Sequence, residues 1–334
     1  MNQFVKSSGY IARMPIANTI YSLVGASVAA NETGFDILGM NGISLDAGIA
    51  NYNANYTFIT HTHHDHTKAL IGNILNLEAT KKNKMNIYCP RGSHLFLREK
   101  LEKEYNSTKH NVKQTFPWRL IGVTSNETFD INCAGKTFRI DTVQCTHSIA
   151  CTGYGFTEIR KKVTEEHLKA ISLIESNEDK KKYFKNLQEN NINYHENLEI
   201  PLFIYLGDTT HKVFDNEKIF KYPTIIVECT FLDNETVKKA SDDKHMHWNN
   251  LKPTVIKNSN NQFILNHFSA RYSTTEIVDF FKNENLSNVF PFVSHAIDIL
   301  EFTKNIHIDL CGCNDLVNCN IYQNIMKRYN LMKQ

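Results

Sequence analysis

Long apolar runs are missing from this chain, and so is any large excess of charge of one sign. No stretch of its 334 residues approaches the roughly 18 consecutive apolar positions of a membrane span, which argues against a membrane partner. Lysine and arginine number 37 against 35 aspartates and glutamates, a formal net charge of +2. A global basic field of the kind that grips nucleic acid without selectivity is therefore lacking, and an RNA partner has to be held by a local patch. The N-terminus carries Lys6 and Arg13 but no apolar run leading to a small-residue cleavage site, which speaks against a secretory signal. The eight cysteines are scattered and match no small disulfide scaffold, so they read as reduced thiols of a cytoplasmic protein, with nuclear or organellar placement left open. Internal repeats are absent as well.

What the chain does contain is apolar content of 41%, enough for a sizeable core. Strand-like runs occur at 56–60, 86–90, 136–143, 152–156, 200–206, 224–227 and 262–265, with helical patterns at 68–77 and 92–105. Strands with helices between them predict an α/β layered fold, read as a single domain over 1–334. Residues 160–199 change character to Lys, Glu and Asn with helical spacing, which predicts an inserted helical arm. The first 60 residues look β-rich without clear individual strands.

The densest chemistry is His61-Thr62-His63-His64-Asp65-His66, placed directly after an apolar strand. Neutral imidazole and carboxylate are preferred zinc ligands, and catalytic sites collect them from turns at the ends of rigid strands. In extended chain, side chains two apart face the same way, so His61 and His63 can grip one ion together. Asp65 and His66 come one turn later and can face a second, while His64 is expected to point away. A surface scavenger of metal would read similarly, but it needs no partners elsewhere. Here His147, Asp208 and His267 each follow a later strand and supply further ligands.

These strings resemble the metallo-β-lactamase superfamily, whose His-x-His-x-Asp-His signature the first cluster fits. Thr146-His147-Ser148 with Gly153-Tyr154, Gly207-Asp208-Thr209, Glu228-Cys229-Thr230-Phe231 and His267-Phe268-Ser269-Ala270-Arg271-Tyr272 narrow the resemblance to the ribonuclease Z branch, over roughly residues 40–280. The resemblance implies an αββα sandwich of the metallo-β-lactamase type with two zinc ions at one edge, manganese or iron being possible on similar ligands. It assigns His61, His63 and His147 to one ion, Asp65, His66 and His267 to the other, and Asp208 to a bridge. It implies hydrolysis of a phosphodiester at the 3′ end of tRNA precursors by a hydroxide that the two metals activate, with Asp65 accepting a proton as well as binding. Asp46 and Gly48 match the turn that supports the ligands from behind.

Cleavage also requires a proton for the leaving oxygen. The resemblance places that donor on a histidine oriented by Glu228, with His245 the first choice by spacing and His247 the alternative. Arg271 can pair with a substrate phosphate or buttress the metal loop through a buried ion pair. The arm carries Lys161, Lys162 and Lys181 as candidate substrate contacts, although its eight basic residues are balanced by eight acidic ones and no Gly/Pro motif is present. That balance leaves a phosphodiesterase acting on another nucleic acid or a small diester as the alternative. Related enzymes suggest a homodimer in which one arm serves the other subunit's site. Near the C-terminus His307, Cys311, Cys313 and Cys319 are irregularly spaced, and read as thiols and a histidine without a structural metal.

Overall fold

Alternation along the strands decides the layering. Ile226 faces one apolar cluster while its neighbours Ile225 and Val227 face another, and Phe203 and Tyr205 divide from Ile204 and Leu206 in the same way. Side chains that alternate between two buried faces mark a sheet covered on both sides. The computed structural model describes residues 12–51, 54–81, 84–110 and 115–293.

The first half of the chain contributes β1 (Ala12–Pro15), β2 (Ser22–Val28), β3 (Glu32–Leu38), β4 (Ile43–Leu45), β5 (Tyr56–Phe58), α1 (His64–Thr67), α2 (Leu70–Lys81), β6 (Met85–Pro90), α3 (His94–Lys109) and β7 (Trp118–Val123). The remainder is β8 (Thr128–Cys133), β9 (Lys136–Cys145), β10 (Cys151–Val163), α4 (Glu165–Ser172), α5 (Asn177–Glu189), β11 (His195–Tyr205), β12 (Thr224–Glu228), α6 (Val237–Asp243), α7 (Trp248–Lys257), β13 (Gln262–Asn266), α8 (Thr274–Glu284) and β14 (Val289–Pro291). Strands β1 to β7 form one seven-stranded sheet in sequence order, and β14 to β8 form the second in reverse order. Each sheet is antiparallel over one half and parallel over the other.

Three apolar clusters hold the layers. Leu23, Phe35 and Phe58 of the first sheet meet Phe156, Phe203 and Ile226 of the second in the central cluster. Ile59, Ile74, Leu97 and Leu101 join the first sheet to α2 and α3, while Val227, Leu251, Val255 and Phe281 join the second to α7 and α8. The result is a four-layer αββα sandwich, the architecture the resemblance implies. The described helices include none long and apolar enough to cross a membrane.

The arm differs from its expected form. β10 and β11 outrun the sheet, and beyond an irregularity at Phe156/Thr157 they continue as a two-stranded ribbon pairing Arg160 with Leu198 and Lys162 with Glu196. Residues 160–163 and 195–199 are therefore strand, and only the tip, α4 and α5, is helical. Lysine and glutamate suggested helix from composition, but here they serve as cross-strand ion pairs, with Lys162 Nζ 2.9 Å from Glu196. The tip is held by His167 bonded to Tyr183 at 2.7 Å and by Phe184 packed on Tyr194. The cluster of His307, Cys311, Cys313 and Cys319 lies outside the described residues; the five described cysteines are all buried.

Phe58 ties the two sheets together just before the histidine loop. Its ring stacks on Tyr88 at 4.9 Å and meets Tyr154 and Phe156 of the opposite sheet edge-on at 5.2 and 5.1 Å. Truncating such a ring removes its transfer free energy and leaves a cavity that the sandwich cannot close. Phe58→Ala should lower unfolding stability by about 3–5 kcal/mol, measured by denaturant titration.

Candidate metal centre and active site

Every candidate ligand sits just past a strand end, on one rim of the sandwich. His61 and His63 follow β5, Asp65 and His66 open α1, and His147 occupies the turn between β9 and β10. Asp208 follows β11 and His267 follows β13. Hydrogen bonds stitch these separate turns to one another. Thr152 N donates to Thr60 O at 2.9 Å, Thr146 N to Thr209 Oγ1 at 2.9 Å, and Ala29 N to Phe268 O at 3.1 Å. Two glycines allow the closest approaches. A Cβ on Gly48 would lie 1.8 Å from Asp65 O, and one on Gly207, whose φ is +63°, would lie 2.6 Å from Thr60 Cβ.

The donor atoms of the expected ligands gather into two groups, and His245 makes a third with Asp208 and His267. His61 Nε2 and His147 Nε2 lie 3.1 and 3.2 Å from His63 Nδ1, and Asp208 joins them. Beside them His66 Nε2 and Asp65 Oδ2 lie 3.3 and 3.2 Å from His267 Nε2. Asp208 stands between the groups, with Oδ2 3.6 Å from His61 Nε2 and 3.4 Å from His267 Nε2, and Oδ1 3.4 Å from His66 Nε2. Nitrogens bound to one tetrahedral zinc at about 2.0–2.1 Å stand roughly 3.3 Å apart, the separation found here. Several of these contacts set lone pair against lone pair, and the buried Asp208 Oδ1 has no hydrogen-bond partner. Both observations fit cation binding. His64, by contrast, is exposed and belongs to neither group.

Electrostatics favour the metal-binding forms of His61, His63, His147 and Asp208, but not of His66. Burial, and then the neighbouring imidazole His66, lower the pKa of His61 well below the ordinary range. Burial likewise lowers His63 and His147. These three are therefore held neutral, with lone pairs to give. Asp208 would be raised by burial, but His267, His66 and His61 outweigh it and hold the carboxyl well below its usual value. His66 moves upward: burial opposes its charge, yet Asp208 and Asp46 overcome that opposition.

Behind the ligands lies Asp46, fully buried at a φ of +54°. Its carboxylate meets His66 Nδ1 at 2.8 Å and accepts from Thr60 N at 2.7 Å and from the Tyr205 hydroxyl at 2.6 Å. A carboxylate behind Nδ1 fixes the tautomer that leaves Nε2 facing the cluster. Sequence reasoning had placed Asp46 in this supporting position but missed Tyr205. That residue is 159 positions away and lies on an apolar strand where a tyrosine reads as core.

A second buried carboxylate, Glu228, holds His245. Glu228 Oε1 is 2.9 Å from His245 Nδ1 and accepts from Thr209 N at 2.7 Å, while Oε2 accepts from Met246 N at 3.0 Å. Burial works against a charged His245, but Glu228 more than offsets it and lifts the pKa to about 9. The ring packs edge-on against His147 at 4.9 Å, beside the ligands. His247 is engaged elsewhere. Its Nδ1 accepts from Asn249 N at 3.0 Å, capping α7, and its Nε2 donates to Asp233 O at 2.8 Å. Both of its nitrogens are therefore committed to holding the backbone.

Of the substrate candidates, Arg271 is exposed instead of forming a buried ion pair. Its guanidinium lies over the Phe231 ring at 5.3 Å and donates to Ser269 Oγ at 3.2 Å. Lys161, Lys162 and Lys181 lie on the arm, apart from the ligand groups. There Arg160, Lys162, Lys182 and Lys185 each face a carboxylate within 4.0 Å, whereas Lys161 and Lys181 face none among the described residues.

The Asp46 support yields a direct expectation. Asp46→Ala leaves His66 Nδ1 and the Tyr205 hydroxyl without their carboxylate, and should weaken metal affinity about 10–100-fold, read by competition with a chelating indicator. Tyr205→Phe removes one bond and should fall between wild type and Asp46→Ala.

No family model matches the chain. Among curated proteins it is 26% identical over 266 residues to tRNase Z TRZ1 of Arabidopsis thaliana, covering 78% of this chain and 89% of that protein. It is 28% identical over 231 residues to a protein named ribonuclease Z from Borrelia hermsii, covering 64% and 69%. Among solved structures, the metallo-β-lactamase fold protein YhfI from Bacillus subtilis superposes with a TM-score of 0.52 at 12% identity, covering 85% of this chain and 96% of that one. The chain thus has the metallo-β-lactamase fold and is similar in sequence to curated proteins named tRNase Z and ribonuclease Z.

Proposed function

We infer that this protein is a zinc-dependent endoribonuclease that hydrolyses a phosphodiester at the 3′ end of tRNA precursors. The single observation that carries the chemistry is the Glu228–His245 pair beside the two ligand groups. Metal ligands alone would suit many hydrolases of this fold. A histidine whose Nδ1 is held by a buried carboxylate at 2.9 Å suits expulsion of a poor alkoxide leaving group.

Two divalent ions, held by His61, His63 and His147 on one side, by Asp65, His66 and His267 on the other and by Asp208 between, would supply Lewis-acid charge to the phosphate and to an attacking water. We assign Asp65 the water's proton, since its Oδ2 is already steadied by Ala30 N at 3.1 Å. His245, bound through Nδ1, keeps Nε2 to deliver a proton to the leaving ribose oxygen. The Glu228 carboxylate behind Nδ1 favours the protonated ring. Arg271, flat against Phe231, is assigned to a flanking phosphate. RNA as substrate is supported by the names of the curated relatives and by the uncommitted Lys161 and Lys181 on the arm. Lys162, paired with Glu196, could contribute only by exchanging that partner for a phosphate. A homodimer in which the arm of one chain serves the other's site completes this reading, and sedimentation of the purified protein tests it. The second reading, a phosphodiesterase for another diester, draws on the carboxylates that neutralise much of the arm.

Purified protein of known metal content should be given a tRNA precursor with a 3′ trailer, a tRNA without one, and an aryl phosphodiester. Cleavage of the precursor alone among the two RNAs is expected, lost on chelation and regained with zinc. Turnover of the aryl diester with an untouched precursor would sink the tRNA assignment. His245→Ala should slow precursor cleavage at least about 100-fold while metal content stays near normal. Loss of metal in that variant would instead make His245 a ligand. His247→Ala should chiefly cost α7 its cap, about 0.5–2 kcal/mol of stability.

A further inference from the structure

One hydroxyl connects the two halves of the site. Thr230 is 3% exposed and stands two residues beyond the end of β12. Its Oγ1 lies 2.5 Å from Glu228 Oε2, 3.1 Å from His267 Nδ1 and 3.0 Å from the His267 carbonyl oxygen. A threonine hydroxyl has one proton to give and two lone pairs to accept with. The charged acceptor takes the proton, so Thr230 donates to Glu228, and His267 Nδ1–H donates to Thr230. That order leaves the lone pair of His267 on Nε2, the atom 3.2 Å from Asp65 Oδ2. At the far end of the chain Glu228 Oε1 accepts from His245 Nδ1. The rings of His245 and His267 lie nearly parallel, 5.5 Å apart, with the threonine behind both.

Backbone bonds around the same residues hold His267 in place. His267 adopts a φ of +60°, a left-handed conformation unfavourable for a side chain with a Cβ. Its own N–H donates to Ser27 Oγ and Ser269 N, two residues on, donates to Thr230 O, at 3.0 Å each, and these bonds hold it there. A mere packing residue at this position would need neither the hydroxyl nor its alignment with Glu228.

We propose that Thr230 is a positioning residue that couples metal binding to proton delivery, setting the tautomer of His267 and the seat of the Glu228–His245 pair through one hydrogen-bond chain. The coupling half of this statement rests on the phosphodiesterase reading above; the metal half does not. Valine fills the same volume but can neither donate nor accept. In Thr230→Val, His267 Nδ1–H and Glu228 Oε2 both lose a partner in a buried site, while Thr230→Ser keeps the chain intact.

The test uses the full-length protein, with metal affinity measured by a chelating indicator and rates on two substrates. One is an RNA with an alkoxide leaving group, and the other is an aryl diester whose nitrophenolate leaves without help from an acid. Thr230→Val should bind zinc about 10–100-fold more weakly. At saturating zinc its kcat on RNA should fall at least about tenfold with KM little changed, and its rate on the aryl diester should fall much less. Thr230→Ser should restore both properties. The Thr230→Val, His245→Ala double variant should cleave RNA no more slowly than His245→Ala alone, because both act on one proton. If Thr230→Val does not fold, Thr230→Ala carries the same measurements. Unchanged zinc affinity, equal losses on both substrates, or a serine variant as impaired as the valine one would each overturn the proposal. A wild-type protein inactive on both substrates would overturn the phosphodiesterase reading, and the zinc measurement would then decide the His267 role by itself.

Discussion

The whole arrangement depends on confining donor groups that repel or compete with one another. Five imidazoles stand within 4.0 Å of the Asp208 carboxylate, in a pocket where burial penalises every charge. Lone pairs facing lone pairs at such distances favour dispersal unless a cation joins them or the scaffold prevents it. The scaffold does prevent it, because the candidate ligands follow the ends of strands in the two packed sheets. A deep-lying carboxylate, Asp46 or Glu228, holds the rear nitrogen of a key ring. The capacity to hold a cation and rigidity are thus two views of one design, in which rigid strands carry donor groups that would otherwise drift apart.

The two supporting carboxylates divide the work by what stands in front of them. Asp46 backs His66, whose other nitrogen points among ligands, so its charge strengthens a metal donor. Glu228 backs His245, at the margin of the cluster, so a similar pairing favours a held proton. The chemical difference arises from placement and not from residue type. Thr230 stands between the two, its hydroxyl within hydrogen-bond distance of both Glu228 and His267.

Much of this was legible in the sequence. Runs such as Thr224–Glu228 and Gln262–Asn266 read as buried strands because they are short, apolar and followed by polar turns. The seven donor residues stood out because each follows such a strand. β7 went unseen because Trp118–Val123 is half-exposed and breaks the alternation that marks a strand, whereas Thr128–Cys133 of β8 does alternate polar with apolar side chains and was overlooked. The arm misled through composition. Lysine and glutamate favour helices in isolation, yet at 160–163 and 195–199 the continuing register of β10 with β11 outweighs that local preference.

Local order is what the sequence by itself determined: the strand–turn units, the donor types, and the pairing of His61 with His63 two residues apart. These follow from periodicity and side-chain chemistry, which act over a few positions. The tertiary structure alone decided which nitrogen faces which oxygen. Spacing ranks His245 only narrowly before His247, but in the structure the first meets Glu228 while the second caps α7 and binds Asp233 O. Tyr205 and Thr230 acquire their roles in the same way, from partners 159 and 37 positions distant. Such contacts depend on how two sheets stack, a property of the packed core that no short stretch of chain encodes.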